Sequence, residues 1–373
     1  MTKAAELAKM GEVLTNSQIG GRRNIIINGA MQVAQRGTSS TTNGDFAVDR
    51  FKHSFSGTDE APTFAQVDVA SGTTPYTSGF RKSLKVTNGN QTSGAGAGDL
   101  IQLSTDLEGQ DIAKSGWDYN STSSFIVLSF YVKSSVAQNF FGYLNITVSP
   151  TRFFPFETGT LTADTWTKVT KIIPGSSSPT LAFANDTASG LQIAWFPFFG
   201  TNFTASGVSL DTWTVANNSE RIPDMTTTWY TTNDATFEIT GVQLEVGSQA
   251  TPFEHRSFGE ELFLCQRYFR DLCSGLSGSV LSLVTHYATT NAVGTFVLSP
   301  PMRTTPTAIA VSSASHFTTF SAAAARVCSA LETDSFAPNI ARMTATISSI
   351  TAGYSGWIQP NTTSATMHIT AEL

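Results

Sequence analysis

The stretch GVQLEVGSQATPFEHRSFGEELFLCQRYF, residues 241–269, brings an imidazole, a thiol and several carboxylates into one short window. A thiol served by an imidazole is the minimum for base-activated nucleophilic catalysis, so His255 and Cys265 are the first pair to weigh. Cys265 shares helical spacing with Leu262, Phe269 and Leu272, an apolar stripe. A thiol on such a stripe is buried and inert, and the structural reading prevails.

Other chemical signatures fail in turn. No G-x-S-x-G elbow is present; GLSGS at Gly275 lacks the second glycine in register. His53, His255, His286, His316 and His368 are scattered, without the H-x-H or H-E-x-x-H spacing that a zinc site uses. Glycoside cleavage needs two carboxylates facing each other across a cleft. Asp45, Asp49, Glu60, Asp99, Asp106, Glu108 and Asp111 are the available acids, but they lie in polar segments where carboxylates are ordinarily just solvated. No catalytic residue is expected, and no metal ligands can be named.

Aromatic rings set among polar residues carry the better binding signal. Trp117 and Tyr119 lie in SGWDYNSTS, Trp213 in LDTWTVANN, and Trp229 and Tyr230 in TTTWYTTND. A ring face beside Asn, Asp and Thr suits a sugar, apolar on its C–H face and hydroxylated at its rim. The opposing reading is that these rings fold back to plug a sandwich or a seam between subunits. Trp195, in IAWFPFFG, reads as core.

The elements that would position these rings are strands. Short β-branched and aromatic runs recur as SLKVTN, DLIQLSTDLEG, SFIVLSFYVKSS, FFGYLNITVS, TWTKVTKIIPG, LQIAWFPFFG and TFEITGVQLEVG, each bounded by Gly, Pro, Asn or Ser. Strands so spaced without intervening helices predict an antiparallel sandwich or jelly roll. NIIINGAMQVAQRG also begins as a β-branched run, and NGNQTSGAGAGD reads as an exposed hairpin loop. In FEITGVQLEVG the apolar phase flips at Gly241, the mark of a bulge. Ser257 and Glu260 have capping-box spacing, which predicts a linker helix over about 258–272. The last hundred residues return to strands, and Met367, Ile369, Ala371 and Leu373 alternate onto one face. At the start, Ala4, Leu7, Met10 and Leu14 form one stripe of a short helix. Such a helix is marginal alone and must dock, on the globular body or on two copies of itself. The fold expected is all-β: a jelly-roll sandwich over 24–256, then a linker helix and a smaller β-sandwich over 257–373, with residues 1–23 as a docking segment.

Composition closes off several classes. Charged residues are 13%, about half the usual ~25%, while aromatics are 11%, which marks a folded chain with a hydroxyl- and amide-rich surface. The formal charge is −6 and the basic residues do not cluster beyond Arg22-Arg23, so nucleic acid is not an expected partner. No apolar run approaches ~20 residues, so no membrane-spanning helix is expected. MTKAAELAKMGEVL lacks an apolar signal core, and secretory export is not expected. Three cysteines do not make a disulfide framework.

Several segments together resemble tail-fibre and related virion proteins of tailed bacteriophages. GGRRNIIINGAMQVAQRGTS followed by FAVDRF resembles the opening of their carbohydrate-binding-module-like domain. LEGQDIAKSGWDYNSTSSFIVLSFYVKSS resembles its middle strands, and ITGVQLEVGSQATPFEHRSFGEELFLCQRYF its closing strand and exit. FVLSPPMRTTPT and ITAEL resemble the small β-domain that follows. The resemblance implies a homotrimeric tail fibre or spike in the virion, on tail or capsid. It would dock on other virion proteins through the N-terminal helix and bind host surface polysaccharide without catalysis. It brings no cofactor and no catalytic residues, although related jelly rolls imply a structural calcium. A decoration or adaptor protein that recognises no glycan, and a capsule depolymerase, are the alternative functions.

Overall fold

The computed structural model describes residues 23–306, 309–322 and 324–373. Leu7, Met10 and Leu14, expected to form the docking helix, lie outside them. The chain divides into two compact units, with the division after Glu261. Among the described residues no helix is long and apolar enough to cross a membrane.

The described residues of the first unit form twelve strands: β1 (Ser39–Ser40), β2 (Lys52–Ser56), β3 (Thr63–Asp68), β4 (Lys82–Thr87), β5 (Leu100–Glu108), β6 (Phe125–Ser134), β7 (Asn139–Ile146), β8 (Arg152–Thr160), β9 (Thr167–Pro174), β10 (Ser189–Phe199), β11 (Thr214–Val215) and β12 (Thr236–Val246). They make two antiparallel six-stranded sheets, ordered β1-β3-β4-β12-β6-β9 and β11-β8-β7-β10-β5-β2. The chain passes repeatedly from one sheet to the other, as in a jelly roll. All seven runs read as strands in this region are strands. β1, β2, β3, β8 and β11 are additional, and β8 is hidden in sequence by Pro155 and the turn-like Thr158-Gly159. The Gly-rich loop between β4 and β5 is not a hairpin, because its flanking strands belong to different sheets.

Alternation explains the core. In β6, Ile126, Leu128, Phe130 and Val132 point inward and are fully buried, while Ser129, Tyr131 and Lys133 take the opposite parity. β12 pairs with β6, and its register shifts between Thr240 and Gln243. Gly241 supplies the extra residue at φ 64°. Because of it, Phe237 and Ile239 before the bulge and Val242 and Leu244 after it all enter the same core cluster.

The run Asn24–Ile27 is buried but is not a strand of either sheet. Beyond Ile239, β12 has no partner on the β4 side, and this run fills the gap. Ile25 N–H donates to Leu244 O at 2.9 Å, Val242 N–H donates to Gly29 O at 2.9 Å, and Asn24 bridges Val242 O and Leu244 N. The bulge and the left-handed turn at Asn28 (φ 61°) break the ladder that a strand would need.

The capping box forms as expected: Ser257 N–H donates to Glu260 Oε2 at 2.9 Å, and Glu260 N–H to Ser257 Oγ at 3.3 Å. The helix it starts is shorter than the spacing predicts, Phe258–Cys265. Its exit tightens as Tyr268 donates its N–H to Cys265 O at 2.9 Å. Phe269 and Leu272 then belong to a strand, because that segment finds a ladder partner near the C-terminus.

The described residues of the second unit form β13 (Phe269–Ser274), β14 (Ser282–Ala288), β15 (Asn291–Val297), β16 (Ile309–Val311), β17 (Phe317–Ser321), β18 (Ala325–Ala337), β19 (Ile340–Ile347), β20 (Ser355–Pro360) and β21 (Thr366–Thr370). The unit is all-β, but six of its strands close into a barrel ordered β14-β15-β19-β18-β17-β20, flanked by the sheet β13-β21-β16. An open second sandwich gives way to closure because β14 pairs with both β15 and β20 and bulges bend β14 and β18. The unit's core combines small residues (Ala292, Ala341, Ala345) with Met343, Val284, Phe317 and Ile358, and closure leaves the six strands no free edge.

Candidate functional site

The five rings singled out in the sequence do not form a binding face. Trp229 and Tyr230 sit on the short helix Thr228–Thr231 and are 0% and 1% exposed. Trp229 Nε1–H donates to Thr236 O at 2.9 Å. Tyr230 stacks on Phe198 at 4.3 Å, and its hydroxyl donates to Asp99 Oδ2 at 3.0 Å. Burial, together with that carboxylate, pushes its pKa up. Trp213 is buried against Phe154 with Nε1–H donating to Pro174 O at 2.8 Å. Trp117 is buried with Nε1–H donating to Ser124 O at 3.3 Å, and the half-buried Tyr119 packs on Phe183 at 5.0 Å. Each polar segment closes over the core, and each indole finds a carbonyl, which is how a buried Trp is satisfied. Trp195 is core, as its segment indicates.

The acids are likewise committed to local structure. Asp49 accepts from Gln35 N at 2.9 Å, Asp106 from Ser189 Oγ at 2.7 Å, and Asp99 from Gly96 N at 2.6 Å. All three cysteines are buried thiols, and burial pushes Cys328 up to about 12. Among the described residues no group of three or more His, Cys, Asp or Glu gathers to hold a metal ion.

A different set of residues builds a cavity of about 510 Å³ on the outward face of the β12-β6-β9 sheet. That volume falls within the usual range for small-ligand sites, roughly 300–1,000 Å³. Tyr131 comes from the outward parity of β6, and Lys168 lies opposite it on β9. Phe80 follows a helical turn at Thr74–Thr77, and Phe253 and His255 come from the segment beyond β12. The bulge organises the floor, since a Cβ at Gly241 would lie 2.7 Å from the Phe80 ring.

The rings are close-packed. Phe80 lies edge to face with Tyr131 at 5.7 Å and with Phe253 at 4.8 Å, and Phe253 with His255 at 4.9 Å. Ser78 ties the polar rim together. Its Oγ is 3.1 Å from the Tyr131 hydroxyl, and its carbonyl accepts from His255 Nε2 at 2.9 Å. The Lys168 ammonium stands 5.9 Å from the centre of the Tyr131 ring. Ser129 and Thr251 add hydroxyls to the lining. The arrangement offers aromatic surface, hydroxyls and one ammonium, and among the described residues the lining holds no carboxylate. It is equipped to hold a polar ring against an apolar face. A second cavity, about 380 Å³, has Arg23, Asp111 and Lys114 in its lining but no aromatic ring among the described residues.

Of the groove residues, Gly241 draws attention in the sequence as a bulge, and His255 does so for the wrong partner: it bonds Ser78 and packs on Phe80 at 5.0 Å. Two signals point to the rest. Tyr131 is an aromatic at an outward position of a buried strand, and the phase flip at Gly241 marks where the strand face is disturbed.

No protein-family model and no curated protein matches the sequence. Solved structures give distant similarities. The enzymatically active domain of tailspike protein 4 of bacteriophage CBA120 is 9% identical, over 60% of this chain and 21% of that one, with a TM-score of 0.32. The N-terminal cellulose-binding domain of a Cellulomonas fimi β-1,4-glucanase is 11% identical, over 58% of this chain and 97% of that one, with a TM-score of 0.27. A xylan-binding domain from Paenibacillus barcinonensis is 9% identical, over 62% and 100%, with a TM-score of 0.27. Scores this low assign neither a fold nor a ligand, and the architecture rests on the strand order itself.

Proposed function

We propose that this chain is a non-enzymatic, carbohydrate-binding virion protein of a tailed bacteriophage, a fibre or spike that attaches to host surface polysaccharide. The observation that carries the reading is the groove, where the half-buried Phe253 and the exposed His255 present ring surface, backed by the buried Phe80, beside Ser78 and Thr251. The phage-like sequence segments support the virion setting. A groove of this size holds one or two sugar rings, so each site is weak. Assembly as a trimer, and many trimers per particle, would raise avidity without new contacts. Glycoside cleavage needs a pair of facing carboxylates, and the groove's lining is hydroxyl and aromatic instead. A reducing-end assay on host exopolysaccharide that stays flat agrees with this, and product release would restore the depolymerase alternative.

Full-length protein on an array of host polysaccharides tests the binding role. Phe253→Ala should abolish retention while leaving the thermal melt close to wild type. Retention unchanged by that substitution removes the groove from the proposal.

A decoration or adaptor role is favoured by one observation. Leu283, Trp357 and Phe320 pair in adjacent register across β14, β20 and β17. Leu283 is 77% exposed and Trp357 38%, and the three strands carry no Asp, Glu, Lys or Arg. Contiguous exposed apolar surface of this kind commonly packs on a neighbour.

A further inference from the structure

We infer that the groove selects an anionic glycan, one whose sugars carry a carboxylate or sulfate; this rests on the binding role proposed above. The chain as a whole has 28 acidic and 22 basic residues, so its average field repels a polyanion. The groove inverts that balance, with Lys168 and His255 in the lining and, among the described residues, no Asp or Glu. The neighbouring lysine on the same face of β6 is committed: Lys133 pairs with Glu238 at 2.9 Å. Lys168 has no acid partner among the described residues. It faces the Tyr131 ring instead, with its ammonium 5.9 Å from the ring centre.

This places a positive charge beside the surface on which a sugar would lie. A neutral glycan leaves that ammonium with only water and the ring face to satisfy it. A sugar laid against Phe253 and His255 brings its own anionic substituent towards Lys168, gaining a charge-assisted hydrogen bond. Ring surface then supplies affinity, and the lysine supplies the choice between charged and neutral sugars.

The test uses two matched pairs of polymers on the full chain: polygalacturonate against its methyl ester, and dextran sulfate against dextran. Binding is measured by affinity electrophoresis at low and at moderate salt. Within at least one pair the charged member should bind more tightly. Lys168→Gln should weaken that binding roughly fivefold and remove most of its salt dependence, with a smaller loss from the neutral partner. Preference in the first pair alone assigns a carboxylate, and in the second alone a sulfate. Equal binding within both pairs, or equal loss from both members in Lys168→Gln, overturns the inference. If Phe253→Ala still abolishes binding in that case, the groove remains the glycan site. If none of the four polymers and no host polysaccharide binds, both proposals fall.

Discussion

The Tyr131 hydroxyl and the Ser78 Oγ lie 3.1 Å apart although 53 residues separate them in sequence. Tyr131 sits on an outward position of β6, and Ser78 follows the helical turn before Phe80, so this bond ties the rim of the groove to its floor. Tyr131→Phe removes one hydroxyl and keeps the ring. Because Tyr131 is only 8% exposed, stability should fall by about 1 kcal/mol or less, while glycan affinity drops severalfold. Urea denaturation and titration of the same preparation read both quantities. A loss of stability without a change in affinity would show that the bond serves the fold alone.

Gly241 is the hinge of the same construction. It adopts φ 64°, and an added Cβ would meet the Phe80 ring at 2.7 Å. Gly241→Ala therefore combines backbone strain with displacement of a groove ring. The expected cost is about 1–3 kcal/mol together with weaker glycan retention, measured by denaturant midpoint and affinity electrophoresis. A wild-type midpoint would mean the bulge relaxes without cost.

Trp229→Ala separates core from ligand contact. The ring is fully buried, so truncation should cost about 3–5 kcal/mol. The fraction that remains folded should bind glycan as wild type does. Selective loss of binding in a protein of unchanged stability would return Trp229 to the ligand site.

Acid should destabilise the first unit in two windows. His53 is buried and stacked on Phe64 at 4.0 Å, with Nε2 donating to Thr42 O at 2.7 Å. Burial lowers its pKa from 6.5 to about 4, against smaller opposing effects of Thr42 and Asp45. The unfolded chain then binds the proton first, so stability falls as pH drops from 6.5 towards 4, by at most about 3 kcal/mol. Glu254 acts lower. Partial burial pushes its carboxyl up, but the N–H groups of Asn24 and Arg23 and the Arg256 guanidinium outweigh this and hold it below its ordinary value of 4.5. Its contribution is present above pH 4.5 and is lost as pH falls through the depressed value. Denaturant midpoints measured from pH 7 down to pH 3 should show both slopes. His53→Phe should flatten the upper window only, and Glu254→Gln the lower only. A single slope unaffected by either substitution would contradict the assignment.

Local chemistry is readable from residue order wherever it depends on near neighbours. The alternation in β6, the Ser257–Glu260 capping box and the bulge at Gly241 are all set by spacings of a few residues, and each stands where the pattern puts it. Exposure is another matter, because it depends on which distant segment arrives to cover a side chain. Trp117, Trp213 and Trp229 stand in polar surroundings along the chain, yet each is buried in the sandwich core, since the polar segments that carry them fold over it. Tyr131 looks in sequence like one more residue of the main core, but its parity turns it to the other face of the sheet, where Phe80 and Ser78 pack on it. The groove exists only because residues 78–80, 131, 168 and 250–255 converge on a disturbed strand. The run after Asn24 and the chain after Cys265 follow the same rule. Hydrogen-bond partners far away in sequence decide whether an apolar run becomes a strand, an edge filler or a helix, because backbone groups must be satisfied by whatever the fold brings to them.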